Sequence, residues 1–174
     1  MATRGCVLHA AGAMRLSRQV QYALCGIFDL AYNGAGEPVH VRRIGERQRI
    51  PHAFLEQIFQ RLRRAGLVTG KRGPGGGFLL TRPPSQISLR DVVEAIEGPI
   101  VGEGIPDPPG PADPAAGDSA AEAGGALHRP DFLWDELAER FAGVLGEIRV
   151  ADVCREAVRR SVARDLPTRF DYEI

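Results

Sequence analysis

The 174-residue chain lacks any run of apolar residues long enough to cross a membrane, and its first 13 residues hold no sustained apolar core of signal-peptide length. A cytoplasmic protein is the expectation. Cysteine is scarce as well: Cys6, Cys25 and Cys154 are far apart and odd in number, which argues against a disulfide framework and suits a reducing compartment. No nucleophile–base–orienter set and no paired-carboxylate site stands out in the patterned segments, so the chain reads as a non-enzyme. Net charge is missing too, with 22 Lys and Arg against 22 Asp and Glu. That zero conceals a division, because residues 14–90 carry 13 basic against 4 acidic side chains and residues 91–174 carry 8 against 18. The basic half is the candidate for nucleic-acid contact.

Within it, the stretch from Ile50 to Thr81 is the most informative. Phe54, Leu55, Ile58, Phe59 and Leu62 recur at the spacing that lines one face of a helix. The opposite face carries His52, Glu56, Gln57, Gln60, Arg61, Arg63 and Arg64. Pro51 suits the first helical turn and Gly66 the position just past the end. Two short strand-like segments, Leu67 to Thr69 and Phe78 to Thr81, then flank Gly70, Lys71, Arg72 and the run Gly73-Pro74-Gly75-Gly76-Gly77, which suits neither a helix nor a central strand. A helix followed by a cationic hairpin predicts a winged helix-turn-helix. No Lys-Ser or Lys-Thr follows the glycines, which weighs against a nucleotide-phosphate loop.

These residues divide the work of DNA recognition. The N-terminal turns of a helix in the major groove meet base edges, while cations and backbone N–H groups fix the phosphates. His52, Ala53, Glu56 and Gln57 lie in those first turns; Glu56 suits a cytosine amino group and Gln57 an adenine. Gln60 shares the face, and Arg61, Arg63, Arg64, Lys71 and Arg72 fall where phosphates would lie. Gly73, Pro74 and Gly75 form the wing tip, where glycine lets the backbone approach a groove.

The rest of the chain reads around this centre. Residues 1–13 lack a clear period and are expected to be a disordered extension. Ser17 caps a helix running through Tyr22, Leu24, Ile27 and Leu30 to about Asn33-Gly34. Cys25 lies in it as a small buried hydrophobe. Val41 to Arg47 forms the supporting helix, with Arg42, Arg43 and Arg47 extending the positive surface. Ser88 and Asp91 make a capping box, Ile87 and Val92 a hydrophobic staple, and Gly98-Pro99 ends that helix.

With those motifs in place, residues 14–100 resemble the DNA-binding domain of the IscR-type family of bacterial winged-helix regulators, which includes NsrR- and CymR-like proteins. The resemblance rests on MRLSRQVQYAL, FLEQIFQRLRRAGLV, KRGPGGGFLL and ISLRDVVEAIEGP, the middle two together being the specific ones. It implies a homodimer on a partly palindromic operator of double-stranded DNA, with Glu56 and Gln57 facing bases and the wing in the minor groove. A transcriptional repressor is the expected role.

Residues 101–130 form a Pro- and Gly-rich acidic segment, expected as a mobile loop. Cluster-binding relatives carry three closely spaced cysteines here, and this chain has none, which disfavours an iron–sulfur cluster. No cofactor is expected, although Cys25, His128, Asp131 and Cys154 are the side chains from which an unconventional metal or cluster site would have to be built. A helix beginning near Asp131 shows a heptad seam of Trp134, Leu137, Phe141, Val144 or Leu145, and Ile148. That seam suits packing in-chain, and the resemblance favours a dimerisation helix instead. Val150 to Asp165 reads as a further helix, with Arg155, Arg159, Arg160 and Arg164 on one side and Val153, Ala157 and Val158 toward the other. Residues 166–174 form a tail. The rival from another class is a protein-interaction module that uses the winged helix to bind an enzyme or polymerase subunit.

Overall fold

The computed structural model describes residues 16–73, 75–101 and 131–165. The N-terminal extension, Pro74, the acidic segment from 102 to 130 with His128, and the tail from 166 lie outside the described residues, as does the side chain of Asp131. The elements run α1 (Arg18–Asn33), α2 (Val41–Gln48), α3 (His52–Arg64), β1 (Val68–Lys71), β2 (Gly77–Leu80), a 3-10 turn (Pro84–Gln86), α4 (Leu89–Glu97), α5 (Asp131–Glu147) and α6 (Val150–Arg159). This is a winged helix-turn-helix joined to two C-terminal helices.

Helix α1 starts where Ser17 accepts a hydrogen bond from the Val20 N–H, satisfying one of the orphan donors of the first turn. Its buried face, Val20, Ala23, Ile27 and Leu30, meets Leu55, Ile58, Phe59 and Leu62 of α3. The helices approach closely at Gly26, where a Cβ would lie 2.9 Å from the Phe59 ring. Phe54 departs from the expectation: it is 56% exposed, because it falls about a quarter-turn from the midline of the buried face. Pro51 stands at the N-cap of α3, one residue before the first turn.

The hairpin pairs Val68 with Leu80 and Lys71 with Gly77. Gly70 and Lys71 therefore belong to β1, contrary to the sequence reading. A two-stranded ribbon has no central strand, so glycine is tolerated there. Val39 adds a bridge to Phe78, each N–H donating to the other's carbonyl at 2.9 Å. Gly77 permits this approach: its φ is +144°, and a Cβ there would stand 2.4 Å from the Val39 carbonyl carbon.

Beyond the wing, α4 opens with the expected box, Ser88 Oγ accepting from the Asp91 N–H and Asp91 Oδ2 from the Ser88 N–H. Ile87 and Val92, the staple, are fully buried. Helix α5 packs along α4, and the joint between α5 and α6 is stitched to the start of α4. Leu89 donates to the Ile148 carbonyl and Val150 to the Ile87 carbonyl, both at 2.9 Å.

Helix α6 is shorter than its sequence suggests. It ends at Arg159, and Ser161 turns left-handed with φ +53°. The chain then folds back over the end of α1. Tyr32 Oη donates to the Val162 carbonyl at 2.9 Å, Arg164 Nε to the Tyr32 carbonyl at 2.6 Å, and the Asp165 N–H to Asn33 Oδ1 at 3.0 Å. Arg164 also lies 5.0 Å over the Tyr32 ring. These contacts outbid a helical continuation. Val158, expected inside, is exposed, whereas Ala157 is buried.

The carboxylate of Asp29 is completely buried in α1. Arg47 of α2 donates to both its oxygens, with the closest contact 2.5 Å, and Gln48 and Asn33 donate at 2.9 and 3.2 Å. Arg47 also reaches Asp165 at 3.0 Å. Burial draws the Arg47 pKa down, but these two carboxylates more than compensate and raise it above its ordinary value. Asp29→Ala is expected to cost about 3 kcal/mol by leaving the Arg47 charge short of its buried partner. Breaking the exposed Arg140–Glu136 pair by Glu136→Ala should cost less than about 1 kcal/mol. Urea unfolding of the two variants measures the contrast.

Candidate nucleic-acid interface

The outer face of α3 is built by exclusion: once the four apolar side chains are committed to the core, His52, Ala53, Glu56, Gln57, Arg63 and Arg64 are left exposed. His52 and Glu56, one turn apart, approach to 3.6 Å across the exposed surface, a contact loose enough for a base to displace. Gln60 is half-buried. The hairpin follows α3 after Ala65 and Gly66 and carries Lys71, Arg72 and Gly73 exposed and Gly75 half-buried. Helix and wing thus offer amide and carboxylate groups flanked by cations, the mixture that base edges and phosphates require.

The cations expected on this surface do not all reach it. Arg61 donates through Nη1 to Gln19 Oε1 at 2.8 Å and to the Ile96 carbonyl at 3.2 Å. It therefore ties α3 to α1 and α4 while remaining exposed. Arg43 and Arg47, expected to extend the positive surface, turn toward Asp165, Arg43 at 3.6 Å and Arg47 at 3.0 Å. Arg42 pairs with Glu46 at 3.0 Å. Sequence reasoning overlooked two others. Arg49 is exposed in the left-handed turn between α2 and α3, beside an open depression of ≈ 440 Å³ shared with Arg42, Pro51 and His52. Arg18 lies in the first turn of α1 and lines a groove against α3. Arg49 sits in a turn, where no periodicity marks it; Arg18 lies off the core face of α1, which was a legible signal.

Residues 16–156 match the Rrf2 family, "Iron-dependent Transcriptional regulator". The chain belongs to the Rrf2 family. Its relatives include the HTH-type transcriptional regulator IscR of Klebsiella pneumoniae (strain 342), 35% identical over 140 residues that span 80% of this chain and 79% of that protein. IscR of Escherichia coli O1:K1 / APEC is 34% identical over 140 residues, 80% of either chain. Among solved structures, T. potens IscR is similar with a TM-score of 0.64 and 28% identity, over 89% of this chain and 96% of that one. CymR, the global cysteine regulator of B. subtilis, gives a TM-score of 0.61 at 25% identity, over 83% and 98%. This Rrf2 chain is accordingly an IscR-type, DNA-binding transcriptional regulator with a winged helix-turn-helix.

The iron in the family's description finds no fitting donor set among the described residues. Cys25 and Cys154 are half-buried on α1 and α6 and pack against the core. Burial pushes the Cys154 thiol up, with Arg164 opposing, and so disfavours the thiolate that a metal requires. No group of three or more His, Cys, Asp or Glu side chains able to hold a metal occurs among the described residues. The segment from 102 to 130 contributes His128 and no cysteine. The residues present do not fit a conventional thiolate-held cluster.

Helix α5 splits the heptad seam between two surfaces. Leu145 is buried and Phe141 partly buried against the in-chain core, whereas Trp134, Leu137, Val144 and Ile148 are exposed, together with Phe132 and Leu133. Leu145, expected in a dimer contact, is committed to its own chain, because that side of α5 lies on α4.

The separation of roles among the arginines is testable. Arg61→Ala should lower stability by about 1–2 kcal/mol through loss of its hydrogen bonds to α1 and α4. Arg63→Ala should leave stability within about 0.5 kcal/mol. Thermal unfolding of the two variants distinguishes them.

Proposed function

We infer that the chain acts as a homodimeric repressor that binds a partly palindromic site in double-stranded DNA and carries out no catalysis. The observation that carries this reading is the outer face of α3. It presents Ala53, Glu56 and Gln57 toward its N-terminal end and exposed Arg63 and Arg64 at its C-terminal end, and the hairpin that follows adds exposed Lys71 and Arg72. In this reading Glu56 accepts from a cytosine amino group and Gln57 pairs with an adenine in the major groove. Lys71, Arg72, Gly73, Pro74 and Gly75 lie along the minor groove. The names of the relatives, HTH-type transcriptional regulators, support the assignment.

Dimerisation rests on α5. A helix with Leu133, Trp134, Leu137 and Val144 exposed along one side presents an apolar strip beyond what scattered surface residues require. A second copy pairing there would set two α3 helices about one turn of DNA apart. Because α5 packs on α4, a signal that altered the pairing of the α5 helices would reposition the heads and change operator affinity through differential contacts.

Three measurements bear on this reading. Affinity for a specific duplex should fall steeply with salt, and Arg72→Ala should reduce the slope of log K against log salt by about 1. Absence of duplex binding at low salt would leave the protein-interaction alternative in its place. Gln57→Ala should lose about 1–3 kcal/mol of discrimination at one or two base positions and leave non-specific binding nearly intact. Trp134→Glu should shift sedimentation from dimer to monomer and weaken operator binding, and a dimer that survived the change would remove α5 from the interface.

A further inference from the structure

Phe54 stands uncovered in the first turn of α3, 56% exposed between Ala53 and the fully buried Leu55. Its ring lies 6.5 Å from that of Tyr22 in α1, tilted by 57°. The two rings line a groove of ≈ 360 Å³ whose other walls include Arg18, Gln57 and Arg61. A lone exposed aromatic would call for no explanation. This one is paired with a second ring, bordered by cations, and set one helical turn before a side chain suited to reading adenine.

The edges of DNA offer a single kind of apolar group in the major groove, the C5 methyl of thymine. An aromatic ring on a helix in that groove gains by covering it, because both apolar surfaces leave water. The Arg18 guanidinium on the groove wall suits a phosphate that flanks the base pair. Phe54 and Gln57 are separated by about 4.5 Å along the helix axis, comparable to the base-pair step of about 3.4 Å. The two side chains can therefore address adjoining base pairs.

We propose that Phe54, backed by Tyr22, is a specificity-determining residue that recognises a thymine methyl group next to the base pair read by Gln57. The proposal rests on the reading of α3 as the DNA-contacting helix. The Tyr22 ring limits where the Phe54 ring can move, and Arg61, held by Gln19 and the Ile96 carbonyl, gives the groove a fixed wall. Ala53, one residue away, also has a methyl group, so the test must separate the two.

The test uses the full chain. A randomised duplex pool is first selected with the unaltered protein. Each thymine of the enriched duplex is then replaced singly by deoxyuridine, which keeps every hydrogen-bonding group and removes only the methyl. At one thymine in each half-site the replacement is expected to weaken binding about four-fold. In Phe54→Ala that penalty should vanish, while Phe54→Leu, which keeps an apolar contact, should retain part of it. Thermal unfolding checks that each variant is folded, and the uridine scan on the unaltered protein stands without any variant. An enriched duplex with a flat uridine scan overturns the proposal and leaves DNA binding intact. So does a penalty undiminished in Phe54→Ala, which would assign the methyl to Ala53. A pool that yields no enriched duplex removes the DNA-binding reading and this proposal with it.

Discussion

The contact between Arg47 and the buried carboxylate of Asp29 fixes the relation of the first two helices, and α3 inherits its position from them. Burying a carboxylate costs several kcal/mol unless charge and hydrogen bonds replace the lost water. Here Arg47, Gln48 and Asn33 supply them. Because Arg47 and Gln48 form the last turn of α2, the network holds that end against α1. The next residue, Arg49, turns left-handed and sends the chain into α3. The second arm of Arg47, on Asp165, carries the same network to the C-terminal segment. An arginine suits this post because its rigid fork engages two carboxylates at once.

The excess of positive charge in residues 14–90 overstates what is available to a polyanion. Arg47 is largely withdrawn from the surface, Arg43 and Arg42 face carboxylates, and Arg61 is engaged by two helices. The cations left outermost on α3 and the wing are Arg63, Arg64, Lys71 and Arg72. They occupy the end of α3 and the hairpin, while Arg18, Arg42, Arg49 and Arg82 are exposed elsewhere on the head.

Much of the architecture was legible in the residues, where a feature depends on near neighbours. Ser17, Ser88 and Asp91 cap their helices as read, and the glycines mark the hairpin. What escaped depends on partners distant in sequence or on the margins of a pattern. Periodicity locates the midline of a helix face, so it assigned Phe54 to the core although the residue lies at the edge. Charge counting cannot foresee that Arg47 meets Asp29 and Asp165. The heptad seam on α5 was read as one surface; the helix lies against α4, so Leu145 turns inward while Trp134 and Leu137 turn out. The early end of α6 is set by Tyr32 and Asn33, residues of α1, which no local signal in the last segment announces. At the candidate interface, exposure agrees with the sequence reading at His52, Glu56 and Gln57. That Arg61 braces α3 against α1 and α4 required the fold.

Helices α4 and α6 begin back to back at the Ser88–Arg149 bridge, each with an aspartate, Asp91 or Asp152, accepting from the backbone N–H at its own start. Two backbone hydrogen bonds cross between these starts, so main-chain atoms join the corner between α5 and α6 to the start of α4, beside the packing of α5 along α4. Side-chain identity matters little to main-chain bonds. These hydrogen bonds join residues on either side of the stretch between Glu97 and Asp131, and closing a longer stretch costs only about 0.6 kcal/mol per doubling of its length, so the tie between the two helical corners depends little on what lies between them.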